Sequence, residues 1–253
     1  MNIDRYYAGT SNIVLPVKNK SFFPERFKDK SRLCYYASLF NSLEVNSSFY
    51  RVPLAKTVER WAAEVTDDFR FTFKLWKNIT HNKGLAFDPQ DVSRFMQVIN
   101  QAGHKAGSLL IQFPASITVI RRHQLERLLE QVYQHNVNPH WDIAVEFRHR
   151  SWYREETYQL LHQYKAGMVT HDMQASASPF GAVNASFVYL RFHGPEAGYR
   201  GDYRPDVLAE YVQYIQEWLA EGKAVYVYFN NTLGSAFENL LTLNRMVGWG
   251  NGL

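Results

Sequence analysis

Apolar β-like runs recur along the chain, each ending in a short cluster of polar or charged residues and all but the sixth followed by a stretch with helical periodicity. The predicted strands cover residues 5–11, 42–48, 69–77, 107–113, 142–149, 167–172, 187–193 and 224–231. Two of them alternate strictly. Leu43, Val45 and Ser47 oppose Glu44, Asn46 and Ser48, and Phe69, Phe71 and Phe73 oppose Arg70, Thr72 and Lys74, the period-two signature of a strand with two different faces. Leu109-Leu110-Ile111 is instead continuously apolar, as expected of a parallel strand covered on both sides. Helices are predicted near 29–40, 55–64, 89–102, 121–135, 154–164, 206–221 and 235–246. Asp88 is the expected N-cap of the third of these and Gly103 its stop.

Alternating strand and helix patterns, broken only by a longer loop after the sixth strand, specify parallel βα units wound right-handedly. An open doubly wound sheet would show a Gly-rich phosphate turn after an early strand, and Gly9-Thr10-Ser11 does not supply one. The expected fold is therefore an α/β (β/α)8 TIM-type barrel, a single domain over residues 1–253, matching the roughly 250 residues such barrels need.

Composition agrees with one large core: 46% of the residues are hydrophobic and 15% aromatic. The net charge of +4 is spread without a polybasic run, so a nucleic-acid interface is not expected. The lone Cys34 can form neither an internal disulfide nor a thiolate zinc site, which fits a reducing compartment. The first residues lack a basic segment leading into an apolar one, and no apolar stretch reaches about 18 residues. A cytoplasmic protein without a membrane segment is expected.

In parallel barrels the site lies at the C-terminal strand ends, where this chain gathers Thr10, Glu44, Asn46, Lys74, Gln112, Glu146, Arg148, His171, Asp172, Arg191, His193 and Asn230. Glu146 and Arg148 share a strand face, as do Arg191 and His193. Unpaired charge is costly to bury, so these side chains are expected in the barrel mouth. One reading is an ion-pair layer that only shapes the interior. The other is a ligand site: Lys74, Arg148 and Arg191 outnumber Glu44 and Glu146, so a carboxylate, phosphate or sulfate group is the expected partner. Asn46, Gln112 and Asn230 would orient the ligand and Tyr228 would contact it. Glu146, His193 and Glu44 are the candidates for moving protons. No cofactor motif is present. A divalent metal would have to draw on His171, Asp172, His193, Glu146 or His81, against the repulsion of three nearby cations.

The same segments resemble the YecE-like family, which is gathered as a domain of unknown function with a TIM-barrel fold. The resemblance rests on Gly9-Thr10-Ser11, the run from Leu43 to Tyr50, Phe71-Thr72-Phe73-Lys74 with Thr80-His81, and the run from Leu109 to Pro114. It continues through the runs from Ala144 to Trp152, Tyr189 to Gly194 and Tyr226 to Asn231. Relatives continue the first motif with Gly-Trp or Gly-Tyr, whereas here Asn12-Ile13-Val14-Leu15 follows. The resemblance implies the barrel and leaves the reaction open. The functional expectation is an enzyme acting on a small anionic molecule by acid–base chemistry, hydrolysis included. The alternatives are a metal-dependent phosphoesterase or nuclease, and a non-catalytic binder of a ligand or nucleic acid.

Overall fold

The polar-tipped apolar runs form parallel strands in a computed structural model that describes residues 3–136, 138, 140–180 and 185–250. The strands are β1 Tyr6–Thr10, β2 Ser42–Val45, β3 Arg70–Lys74, β4 Ala106–Phe113, β5 Asp142–Phe147, β6 Gly167–Met168, β7 Thr170–His171, β8 Phe187–Phe192 and β9 Ala224–Phe229. Between them run α1 Arg32–Ala37, α2 Ala55–Ala63, α3 Lys77–Thr80, α4 Pro89–Ile99, α5 Arg122–His135, α6 Glu155–Gln163, α7 Pro205–Ala220 and α8 Ala236–Val247. Helix α4 shows why such segments form where they do. The Asp88 side chain accepts the Gln90 N–H, Pro89 occupies the first turn, and Val92, Phe95, Met96 and Ile99 make one buried stripe.

The strands pair in the orders β2-β3-β4-β5-β6 and β1-β9-β8-β7, and two seams join these sheets into the barrel. At one seam the strand expected over 167–172 is split at Val169. Residues before it pair with β5, the Val169 N–H still donates to Val145 O at 2.9 Å, and Thr170 and His171 pair with β8. At the other seam Ser11 and Glu44 form a parallel bridge, and the Asn12 N–H donates to Glu44 O at 2.8 Å. Gly9 lets the chains approach there: a Cβ at this position would sit 2.0 Å from Ser42 O. Side chains supply what the short ladder lacks. Asn41 accepts from Ala8 N–H at 2.9 Å and donates to Tyr6 O at 2.7 Å, while the Tyr36 hydroxyl accepts from Thr10 N–H at 2.7 Å and donates to Ser42 O at 3.0 Å.

Several elements end short of their expected ranges. Strand β2 ends at Val45, because residues 46–49 turn into a 3-10 helix. Strand β3 ends at Lys74 and α3 follows where the strand was expected to continue. Helix α1 is shorter than residues 29–40, with Ser31 as its N-cap.

Alternation along the strands divides the core in two. Leu43, Phe71, Phe73, Ile111, Val145 and Phe192 belong to the layer beneath the helices. Leu110, Ala144, Val169, Phe187, Tyr189, Ala224, Tyr226 and Tyr228 form a separate cluster inside the barrel. Its tyrosine hydroxyls all have partners, as buried hydroxyls must. Tyr226 donates to Asp142 at 2.8 Å, Tyr189 donates to Glu44 at 2.6 Å, and Tyr228 is held by Ser42 at 2.6 Å and Thr72 at 2.8 Å. Among the described residues no helix is long and apolar enough to cross a membrane.

Candidate active site

Above the tyrosine layer, the next inward-facing residues toward the strand ends carry charge. Glu44 on β2, Glu146 on β5 and Arg191 on β8 are all buried, and Arg191 joins the two carboxylates. Its Nε and Nη2 donate to the two Glu44 oxygens at 3.0 and 2.7 Å, and its Nη1 donates to Glu146 Oε2 at 3.0 Å. This is the bidentate fork that a planar guanidinium makes best. Ser11 Oγ donates to Glu44 Oε1 and lies 3.4 Å from Arg191 Nη2. Arg148, just past β5, donates through Nε to Glu146 Oε1, sets Nη1 against the Met173 sulfur and brings Nη2 within 3.1 Å of His193 Nε2.

These pairings fix the protonation states. Burial alone would raise both carboxyls, but Arg191 holds Glu44 below its ordinary value, and Arg148, Arg191 and His193 hold Glu146 well below it. Both are carboxylates near neutrality. Burial pushes His193 down to about 3, against the pull of Glu146, so its imidazole is neutral. Its Nε2 has two neighbours with opposite demands. Arg148 Nη2 can only donate, while Glu146 Oε1 at 3.4 Å can only accept. Asn230 sits 3.0 Å from Nδ1 and can present either end of its amide. Which tautomer His193 adopts thus depends on which of these neighbours its Nε2 serves.

Lys74 differs from every other charge in this layer. Its side chain is 7% exposed and its Nζ lies 4.2 Å from the centre of the Phe49 ring. Among the described residues it has no ion-pair or hydrogen-bond partner for that nitrogen. Burial, reinforced by Arg191 and opposed by Glu146 and Glu44, lowers it to about 7. His81 meets Phe49 in an edge-type contact with ring centres 4.8 Å apart and is pushed down to about 4 by burial, Lys74 and Arg148.

The expected site residues thus divide into groups. Glu44, Glu146, Arg148, Arg191, His193 and Asn230 meet in one network, and Lys74 stands within reach of its charges. Gln112 is paired in register with Glu146, at the adjoining position of the mouth. Asn46 lies in the turn after β2, where its Oδ1 is buried with no hydrogen-bond partner. Tyr228 is fully buried in the barrel interior with its hydroxyl satisfied by Ser42 and Thr72, so it floors the site. Asp172 accepts from the His193 backbone N–H at 2.8 Å and from Tyr203, which turns it away from the cation count. Tyr189, Ser11 and Met173 complete the network although sequence reasoning gave them no role. Tyr189 and Ser11 carried a signal, since Tyr189 precedes Arg191 by two and Ser11 follows Gly9 by two, on the same strand faces. Beyond His193 a cavity of about 260 Å³ opens, lined by Met173, Gln174, Glu196 and Tyr199 among others.

Glu146, His171 and His193 offer ligand atoms within 4.8 Å of one another. Their present partners do not fit a cation. Both Glu146 oxygens accept from guanidinium groups, Arg148 approaches His193 Nε2, and His171 Nε2 faces Phe147 O at 3.1 Å.

Comparison with known proteins agrees with this architecture. The chain is 25% identical over 244 residues to the UPF0759 protein YunF of Bacillus subtilis, covering 85% of each. It is 35% identical to YecE of Escherichia coli K12 over 81 residues, which is 32% of this chain and 30% of that protein. A DUF72 family protein from Enterococcus faecalis V583 superposes with a TM-score of 0.76 at 20% identity, covering 97% of this chain and 96% of the other. One from Thermotoga maritima MSB8 gives 0.71 at 26%, covering 96% and 99%. The family model described as "Protein of unknown function DUF72" matches residues 7–252, and the chain belongs to that family.

Proposed function

We propose that the protein is an enzyme that holds a small carboxylate- or phosphate-bearing molecule between Lys74 and Arg148 and works on it by acid–base chemistry. One observation carries this reading: among the described residues, Lys74 is a buried amine without a bonded counter-ion in a layer whose other charges are matched. Glu44 and Glu146 are answered by Arg191 and Arg148. The remaining positive charge is that of Lys74, and an unpaired buried cation is costly unless something neutralises it. An anionic substrate does so. Arg191 belongs to the frame in this reading, since its fork is spent on two carboxylates. Arg148, whose side chain keeps 11% exposure, is the guanidinium a ligand reaches.

The proton-moving groups follow from the same geometry. Glu146 is too acidic a carboxyl to donate near neutrality, so it orients Arg148 and His193. His193 relays a proton between its two nitrogens when Arg148 turns toward a ligand, and Lys74 gains or loses one near pH 7. The orphaned Asn46 Oδ1 is an acceptor for a ligand hydroxyl.

Thermal-shift screening with small carboxylates and phosphate esters tests the reading. The wild-type protein is expected to be stabilised by at least one of them, and the Arg148→Ala and Lys74→Met proteins, folded but unresponsive, are expected to lose that response. An equal response in both variants would remove the site.

A further inference from the structure

Lys74 is built as a nucleophile as well as a cation. It projects from the end of β3, a strand hydrogen-bonded on both sides, and its own carbonyl is fixed by the Ser48 hydroxyl at 2.7 Å. Its Nζ rests over the apolar Phe49 face. A carboxylate bonded to this nitrogen would keep it protonated and its lone pair unavailable. Glu44 and Glu146 are instead committed to Arg191 and Arg148.

We infer that Lys74 forms an imine with its substrate, which makes the substrate a small aldehyde or ketone bearing a carboxylate or phosphate. This rests on the anion site proposed above and adds the identity of the reacting group. The unprotonated amine adds to the carbonyl carbon to give a carbinolamine. That species loses its oxygen as water, leaving a C=N bond to Nζ, so one molecule of carbonyl compound and one amine give one imine and one water. Protonated, the imine withdraws electrons from the adjacent carbon. Arg148 holds the anionic group.

The amine has the reactivity this requires. With Lys74 lowered to about 7, about half of it is free base at pH 7. An exposed lysine near 10.4 is unprotonated to only about one part in a thousand or less. Reductive trapping at neutral pH therefore favours Lys74 over exposed lysines.

The protein is incubated at pH 7 with pyruvate or glyceraldehyde 3-phosphate and sodium cyanoborohydride, then analysed by intact mass and peptide mapping. The expected result is an adduct at Lys74 by peptide mapping, adding the mass of the carbonyl compound less one oxygen. It should form at least tenfold faster than any adduct at an exposed lysine and be lost in Lys74→Arg. Labelling of Lys74 no faster than of exposed lysines, or none with either compound, overturns the imine. Sulfate binding measured by thermal shift on the same protein separates the two readings. Sulfate binding without a Lys74 adduct removes the imine and leaves the anion site, whereas loss of both removes both.

Discussion

Lys74 and His193 show how neighbours decide what a side chain can do. Lys74 has a folded-state value of about 7 against 10.5 ordinarily. Between those values the unfolded chain binds the extra proton, so stability rises with pH across this window, and below pH 7 the full cost of burying the charge is present. Lys74→Met is accordingly expected to stabilise the protein by about 1–4 kcal/mol at pH 6, with the gain shrinking by pH 9. Urea unfolding at both pH values checks it, and a loss of stability at pH 6 would mean that Lys74 has a partner in solution. Its facing was legible in the alternation of Arg70, Thr72 and Lys74 against three phenylalanines. Its isolation was not, because period-two patterning says which face a residue occupies and nothing about which carboxylate another strand has already claimed. Counting cations against carboxylates anticipated an excess, and geometry assigns that excess to one residue. Tyr228 shows the same limit: parity puts it inside the barrel, but only the register with Ser42 and Thr72 puts it below the charged layer.

At the scale of the strand, the Glu44–Arg191–Glu146 bridge ties β2, β8 and β5 across the barrel. Removing Arg191 leaves two carboxylates buried together, so Arg191→Met is expected to cost about 3–5 kcal/mol, measured by urea unfolding at pH 7. Both carboxyls lie below their ordinary value in the fold. Their contribution is therefore present above the unfolded-state value near 4.3 and lost as pH falls below it toward the depressed folded value. The wild-type protein should lose stability to acid over that range, and the Arg191→Met protein should lose less, since the charge to be neutralised is then unfavourable already. The β1–β2 seam depends on Gly9 rather than on charge. Gly9→Ala places a methyl against Ser42 O and is expected to separate the strands, costing several kcal/mol or preventing folding; circular dichroism and thermal unfolding read this directly. Strand positions were legible because apolar runs with polar tips are local signals. The turn at Asn46 and the presence of α3 were less so, because their hydrogen bonds are set by local geometry that the hydrophobic period does not encode.

For the whole molecule, the alternation of strand and helix patterns made the barrel topology legible, and the DUF72 relatives share it. The split at Val169 was invisible in sequence, since Gly167–Asp172 reads as one continuous strand and only the pairing shows it serving β5 first and β8 afterwards. Closure puts residues far apart in the chain into one layer, with Glu44 and Arg191 meeting across 147 positions, and that convergence creates the site. The property on which the proposed function rests is a buried amine, Lys74, with no bonded counter-ion among the described residues. Sulfate stays fully ionised near neutrality, so its binding reports on that cation without titrating itself. The most direct measurement is isothermal titration of sulfate into the protein at pH 7.5, in two buffers of different ionisation enthalpy. We predict one site per chain with uptake of a fraction of a proton on binding, because the anion raises Lys74, and no such uptake in Lys74→Met. Sulfate binding with no proton uptake, or with equal affinity in Lys74→Met, would contradict the account.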